Sequence, residues 1–150
     1  MTSKERVLQR ERERGRNAAL NLANRAPDMD GTALIAEQDH IPAWSEAAVY
    51  TVKHVGFAVQ DGDQVYVILQ PHTPAHNPGF RPADLPAIYS IRHTKDPARA
   101  KPFREPYGTS GVYAQGDCCV YNGAVYRSVY GGDNVWKPTD FPSGWEEVSS

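Results

Sequence analysis

Five histidines, two cysteines and a thin scatter of serines and carboxylates are what this 150-residue chain offers for chemistry, and their spacing does not gather them. His40, His54, His72, His76 and His93 lie mostly beside prolines in loop-like sequence. Only His72 and His76 are spaced so that a helix would set both rings on one metal. Pro74 stands between them and breaks such a helix, so both are expected as solvated loop side chains. Cys118 and Cys119 are adjacent, and on a strand they point to opposite faces. They form neither a disulfide framework nor a metal set, and are read as small strand residues. Ser110 and Ser128 lack the strand–turn–helix setting of a nucleophile. Asp61, Asp63, Asp117 and Asp140 sit singly at turns. The expectation is a protein that is not an enzyme and takes no metal or cofactor.

Aromatic side chains are the exception. Tyr107, Tyr113, Tyr121, Tyr126, Tyr130, Trp136, Phe141 and Trp145 fall within the last 44 residues. A unit that small encloses few large rings, so several must be exposed. Exposed rings stack on the apolar faces of pyranoses, and neighbouring amides and carboxylates hydrogen-bond the hydroxyls. Tyr130 and Trp136, in a Gly- and Asn-rich loop, are the sugar-contact candidates, with Asn134 as the polar partner.

The elements that must position these rings are written twice. Pro82-Ala83-Asp84-Leu85-Pro86-Ala87-Ile88-Tyr89 and Pro138-Thr139-Asp140-Phe141-Pro142-Ser143-Gly144-Trp145 share one pattern at an offset of 56. Upstream, Val49-Tyr50, Val59, Asp61-Gly62 and Val65-Tyr66 answer to Val112-Tyr113, Val120, Asn122-Gly123 and Val125-Tyr126. Ordered self-similarity fixes the folding unit before any local reading. The expected fold is mainly β, with two small modules over residues 41–92 and 107–150 and a Pro-rich connector over 93–106. Trp44, Tyr89, Tyr113, Tyr126 and Trp145 are expected as structural aromatics. Tyr130 and Trp136 have no aromatic counterpart in the first module, which frees them for the surface.

Strands are expected over Ala48–Lys53, Val55–Gln60 and Gln64–Gln70, and over Val112–Tyr113, Cys118–Tyr121 and Ala124–Val129. The hairpin turns fall at Asp61-Gly62 and Asn122-Gly123. Residues 3–25 predict a helix with Ser3 as its cap and Arg6 where a capping-box Glu would stand. Leu8, Gly15, Leu22 and Met29 fall at heptad spacing. Such a helix is unstable alone in water, so residues 1–40 read as an arm and linker that orders against copies of itself or a larger partner.

Net charge is −2, with +4 in residues 1–26 and −6 in the rest. Nothing in that balance points to nucleic acid, and no partner of that kind is expected; no apolar run is long enough for a membrane span. The N-terminus is charged and carries no apolar signal core.

Tyr113-x-x-Gly116-Asp117-x-x-Val120-Tyr121-x-Gly123-x-x-Tyr126, followed by Asn134, Pro138 and Trp145, resembles the small chitin-binding fold of carbohydrate-binding module families 5 and 12. Those modules read Tyr-x-x-Gly-Asp-x-Val-x-Tyr-x-Gly-x-x-Tyr, with a later Pro and a closing Trp. The family's leading Trp is absent; Tyr107 or Gly108 stands near its place. In the first module Trp44 and Tyr50 fit the leading positions, while Gly56-Phe57 replaces Gly-Asp. Together with a charged helix, the segment Asn134-Val135-Trp136-x-Pro138 resembles short proteins of bacteriophage and prophage tail regions. The resemblance implies a virion component of tail, baseplate or fibre. Residues 1–40 would dock on other virion proteins, the chain would be oligomeric in the particle, and the modules would face outward toward host surface glycan. A capsid-decorating or head-fibre protein and a free glycan-binding module stand as alternatives.

Overall fold

The computed structural model describes residues 2–148, leaving out the side chains of residues 11–16. A helix, α1 (Ser3–Arg25), opens the chain. Thr2 rather than Ser3 is its cap: the Thr2 hydroxyl accepts from Glu5 N at 3.1 Å, and Glu5 Oε2 accepts from Thr2 N at 3.0 Å. The capping box is therefore complete one residue earlier than expected. Pro27 closes α1 through a short 3-10 turn over Ala26–Asp28. Asp30 then caps α2 (Gly31–Ala36) by accepting from Ala33 N at 2.8 Å.

The first sheet contains β1 (Ala58–Asp61), β2 (Gln64–Ile68) and β3 (Tyr89–Ile91), all antiparallel. Strand alternation splits its side chains between two faces. Ala58, Val65 and Val67 meet Leu22, Ala26, Leu34, Ile35 and Ile41 on one side. Val59, Tyr66 and Ile68 meet Trp44 and Tyr89 on the other. Burial of Leu22, Leu34 and Ile35 stabilises this packing by roughly 1.5–3 kcal/mol each. The second half of the 1–40 segment is thus part of the first core, whereas Val7 and Leu8 are exposed. Of the heptad series, Leu22 and Met29 pack inward and Leu8 does not.

The second sheet contains β4 (Lys101–Pro102), β5 (Cys118–Tyr121), β6 (Ala124–Ser128) and β7 (Trp145–Glu147). β4 runs parallel to β5; the other pairs are antiparallel. Its core is Tyr113, Cys119 and Trp145, packed by Phe103, Tyr121 and Tyr126. Both cysteines are buried free thiols.

The two sheets pair their strands in matching register. Val59 faces Tyr66 where Cys119 faces Tyr126, and Ile68 faces Tyr89 where Ser128 faces Trp145. Gly56 N donates to Ile68 O at 2.8 Å, and Gly116 N donates to Ser128 O at 2.8 Å. Trp44 N donates to Gln60 O, and Phe103 N donates to Val120 O. The Trp44–Tyr89 ring pair (6.4 Å, 88°) has its likeness in Phe103–Trp145 (6.3 Å, 79°).

Several expectations need correction. About 31% of the chain is helical and 24% strand, so the fold is mixed α and β rather than mainly β. The first hairpin turns on Gly62-Asp63, not Asp61-Gly62. Both central residues are left-handed, with φ of 55° and 65°, as Asn122 and Gly123 are at 50° and 79°. This is the turn whose twist suits a two-residue hairpin. Ala48–Lys53 is not a strand: Tyr50 makes one bridge, to His72, and Val52–His54 is a 3-10 turn. Five residues separate Tyr50 from Gly56 where two separate Tyr113 from Gly116, and the surplus loops out. Residues 93–106 are not merely a connector. Thr94 bridges Cys118, β4 joins the second sheet, and buried Lys101 reaches back to Gln38 (2.5 Å) and Asp63 (2.9 Å). Among the described residues no helix is long and apolar enough to cross a membrane.

Candidate aromatic surface site

β6 ends at Ser128, and the chain returns to the sheet at Trp145 through a loop that holds the sugar-contact candidates. Asn134 anchors that loop from inside. Its backbone exchanges hydrogen bonds with Tyr113 at 3.0 and 2.9 Å. Its Nδ2 donates to Ser128 Oγ and to Gly144 O, both at 3.1 Å, and its Oδ1 accepts from Trp136 N at 3.3 Å. Asn134 is fully buried, so its expected contact with sugar is corrected to a positioning role. A buried amide must have its partners inside the protein, and all of them are here.

Tyr130 and Trp136 do reach the surface, at 40% and 44% exposure. Phe141 joins them. The ring centroids are 6.1 Å apart for Tyr130–Trp136, 5.4 Å for Tyr130–Phe141 and 5.1 Å for Trp136–Phe141. The three interplanar angles lie between 73° and 76°, so each ring offers its edge to a neighbour's face. Trp145 Nε1 donates to Trp136 O at 2.9 Å and fastens the loop to the core. Gly144 makes room for Phe141: a Cβ there would lie 2.3 Å from the ring. Trp136, Phe141 and Asp140 line a hollow of about 150 Å³.

The corresponding part of the first sheet is closed. His72 bridges Tyr50 as Asn134 bridges Tyr113. His72 is half-buried and not solvated as expected. Trp44 Nε1 donates to the Tyr89 hydroxyl at 3.0 Å, Tyr89 lies 2.7 Å from His72 Nδ1, and His72 Nε2 lies 2.8 Å from Asn77 Oδ1. With the Tyr89 proton directed at Nδ1, the imidazole carries its own proton on Nε2 and donates it to Asn77. Leu85 and Ile88, in the places of Phe141 and Gly144, both pack on the first core.

Of the expected structural aromatics, Trp44, Tyr89, Tyr113 and Trp145 are buried, and Tyr126 is half-buried against the second core. Tyr107, placed near the missing Trp by sequence, is 70% exposed; Phe103 takes the Trp44-like position instead. Sequence reasoning missed two aromatic contributors, Phe103 to the second core and Phe141 to the surface ring cluster. Phe141 was legible in the pairing of an aromatic with a glycine three residues on, where the first phrase has Leu85 and Ile88.

Tyr113 is stacked between two rings, His93 at 3.7 Å and Phe103 at 5.3 Å. Burial pulls His93 down to about 4, well below its ordinary 6.5, and its Nε2 meets Gly111 O at 2.8 Å. Burial also pushes the Cys119 thiol up to about 12, which keeps it protonated and unreactive. A second hollow, a cleft of about 660 Å³, lies between Pro82–Ile91 and Arg104–Tyr107. Among the described residues no cluster of three or more His, Cys, Asp or Glu could hold a metal ion. No protein-family model matches the chain, and no curated protein matches it.

Proposed function

We propose that the two sheets are copies of one small carbohydrate-binding-module-like unit, carried by a structural virion protein of bacteriophage tail, baseplate or fibre. The arm anchors the chain to other virion proteins, and the second unit contacts host surface glycan. The observation that carries the reading is the cluster of Tyr130, Trp136 and Phe141, three large rings held at the surface by a loop locked from below. Rings that a core does not need and a buried amide supports are well suited to a ligand. The matching strand registers support the shared unit, and the exposed first turns of α1 support an arm with a partner outside the chain.

The test is retention of the purified chain on insoluble chitin and on host cell walls, together with a glycan array. Retention and a defined array signal are expected. Blank results in all three would assign the units a purely structural role, as in a capsid-decorating protein.

A further inference from the structure

The three surface rings do not form a platform. A flat chain of sugars stacks best on rings lying in one plane, whereas these stand at 73–76° to one another. Perpendicular rings make corners, and a corner encloses a compact group rather than a ring face. The hollow of about 150 Å³ between Trp136 and Phe141 is such a corner. Trp136 and Phe141 wall it with aromatic rings, whose π systems attract cations, and Asp140 supplies a carboxylate.

That carboxylate has been released from structural work. In the first phrase Asp84 accepts from Arg81 N at 2.9 Å and caps its turn. Asp140 occupies the same place and makes no such bond among the described residues. Among the described residues its ion pair is with Lys137, at 4.0 Å between half-exposed side chains, a contact worth little in water. Residues 107–150 carry five carboxylates against Arg127 and Lys137, a net charge of −3. Compact shape, aromatic walls and a weakly paired carboxylate together suit a cation.

We propose that the Trp136–Phe141–Asp140 corner binds an alkylammonium group, and that on a glycan this group is the free amine of an unacetylated amino sugar. The assignment rests on the glycan-contact reading and narrows it: cation–π attraction and the Asp140 charge select the ammonium, and an N-acetyl group gains neither. Titration calorimetry of the full chain with a glucosamine hexamer and an N-acetylglucosamine hexamer tests it. The unacetylated hexamer is expected to bind at least about tenfold tighter, the worth of one good cation–π contact and one ion pair. Asp140→Asn should remove most of that preference with the melting temperature unchanged, and tetramethylammonium should compete. Equal affinity for the two hexamers would overturn the cation assignment while leaving the glycan reading standing. Binding of neither would overturn both. Binding of tetramethylammonium without either hexamer would overturn the amino-sugar source.

Discussion

The two sheets hold the same strand register yet are finished differently. The first is covered on both faces, by α1 and α2 on one side and by Trp44 and Tyr89 on the other. Its buried Tyr89 hydroxyl and half-buried His72 imidazole are joined in a chain from Trp44 to Asn77. Among the described residues the core of the second takes no side chain from α1 or α2. Its core is an aromatic stack of His93, Tyr113 and Phe103 against Trp145. The changes that separate them are small in sequence. Leu85 answers to Phe141, Ile88 to Gly144, His72 to Asn134. Leu85 and Ile88 pack on the first core, whereas in the second half the loop anchored by buried Asn134 carries Tyr130 and Trp136 at the surface.

The comparison is most severely tested through the second core. Trp145 is 6% exposed and lies against both Phe103 and Tyr113. Trp145→Ala is expected to cost about 3–5 kcal/mol and to unfold the second sheet, read as loss of its amide protection in hydrogen exchange. The first sheet, with its own clusters, should keep its protection. Simultaneous loss in both would mean that the sheets form one cooperative unit.

Acid should act through His93, which stacks on Tyr113 in the second core. Its folded value, about 4, lies below the ordinary 6.5. Between those values the unfolded chain binds a proton that the folded chain does not, so stability is present above pH 6.5 and is lost as pH falls toward 4. The loss approaches about 3 kcal/mol at the low end. His93→Phe, which keeps a ring on Tyr113, should flatten this pH dependence in denaturant titrations between pH 7 and 4. An unchanged slope would mean that His93 is accessible to solvent.

Gly144→Ala probes the exchange with Ile88. A Cβ at 2.3 Å from the Phe141 ring forces that ring to move, at a cost of about 1–3 kcal/mol for overpacking. Tryptophan fluorescence should report the altered surroundings of Trp136. A variant of unchanged stability and spectrum would show that Phe141 is not held by this glycine.

Much of the strand pairing was legible because it rests on local chemistry. Asn122-Gly123 dictates its turn, and the alternation in Cys118–Tyr121 and Ala124–Ser128 dictates the faces. The two closing phrases told where Tyr89 and Trp145 return to their sheets. The misplaced turn at Asp61-Gly62 shows the limit: Asp63 takes a left-handed φ of 65° as readily as Asn122 takes 50°, so the residue types fit either frame. Phe103 was hidden by the prolines around it, which read as connector, although Pro102 sits at the end of a two-residue edge strand where no donor is needed. Asn134 was misread because an amide serves a sugar hydroxyl and a buried carbonyl equally well, and only burial distinguishes them. The inward packing of Leu22, Leu34 and Ile35 was not legible, since it depends on which face of the first sheet stands open to a helix.

The proposed division of labour between the sheets is tested most directly by retention on host cell wall, comparing the unmodified chain with Tyr130→Ala/Trp136→Ala and with Phe80→Ala. Phe80 is an exposed phenyl ring in the first half, at 51%. All three proteins should melt within a few degrees of one another, because surface changes stay within about ±0.5 kcal/mol. The account predicts that the double variant alone loses retention. Retention kept by the double variant and lost with Phe80→Ala would contradict it.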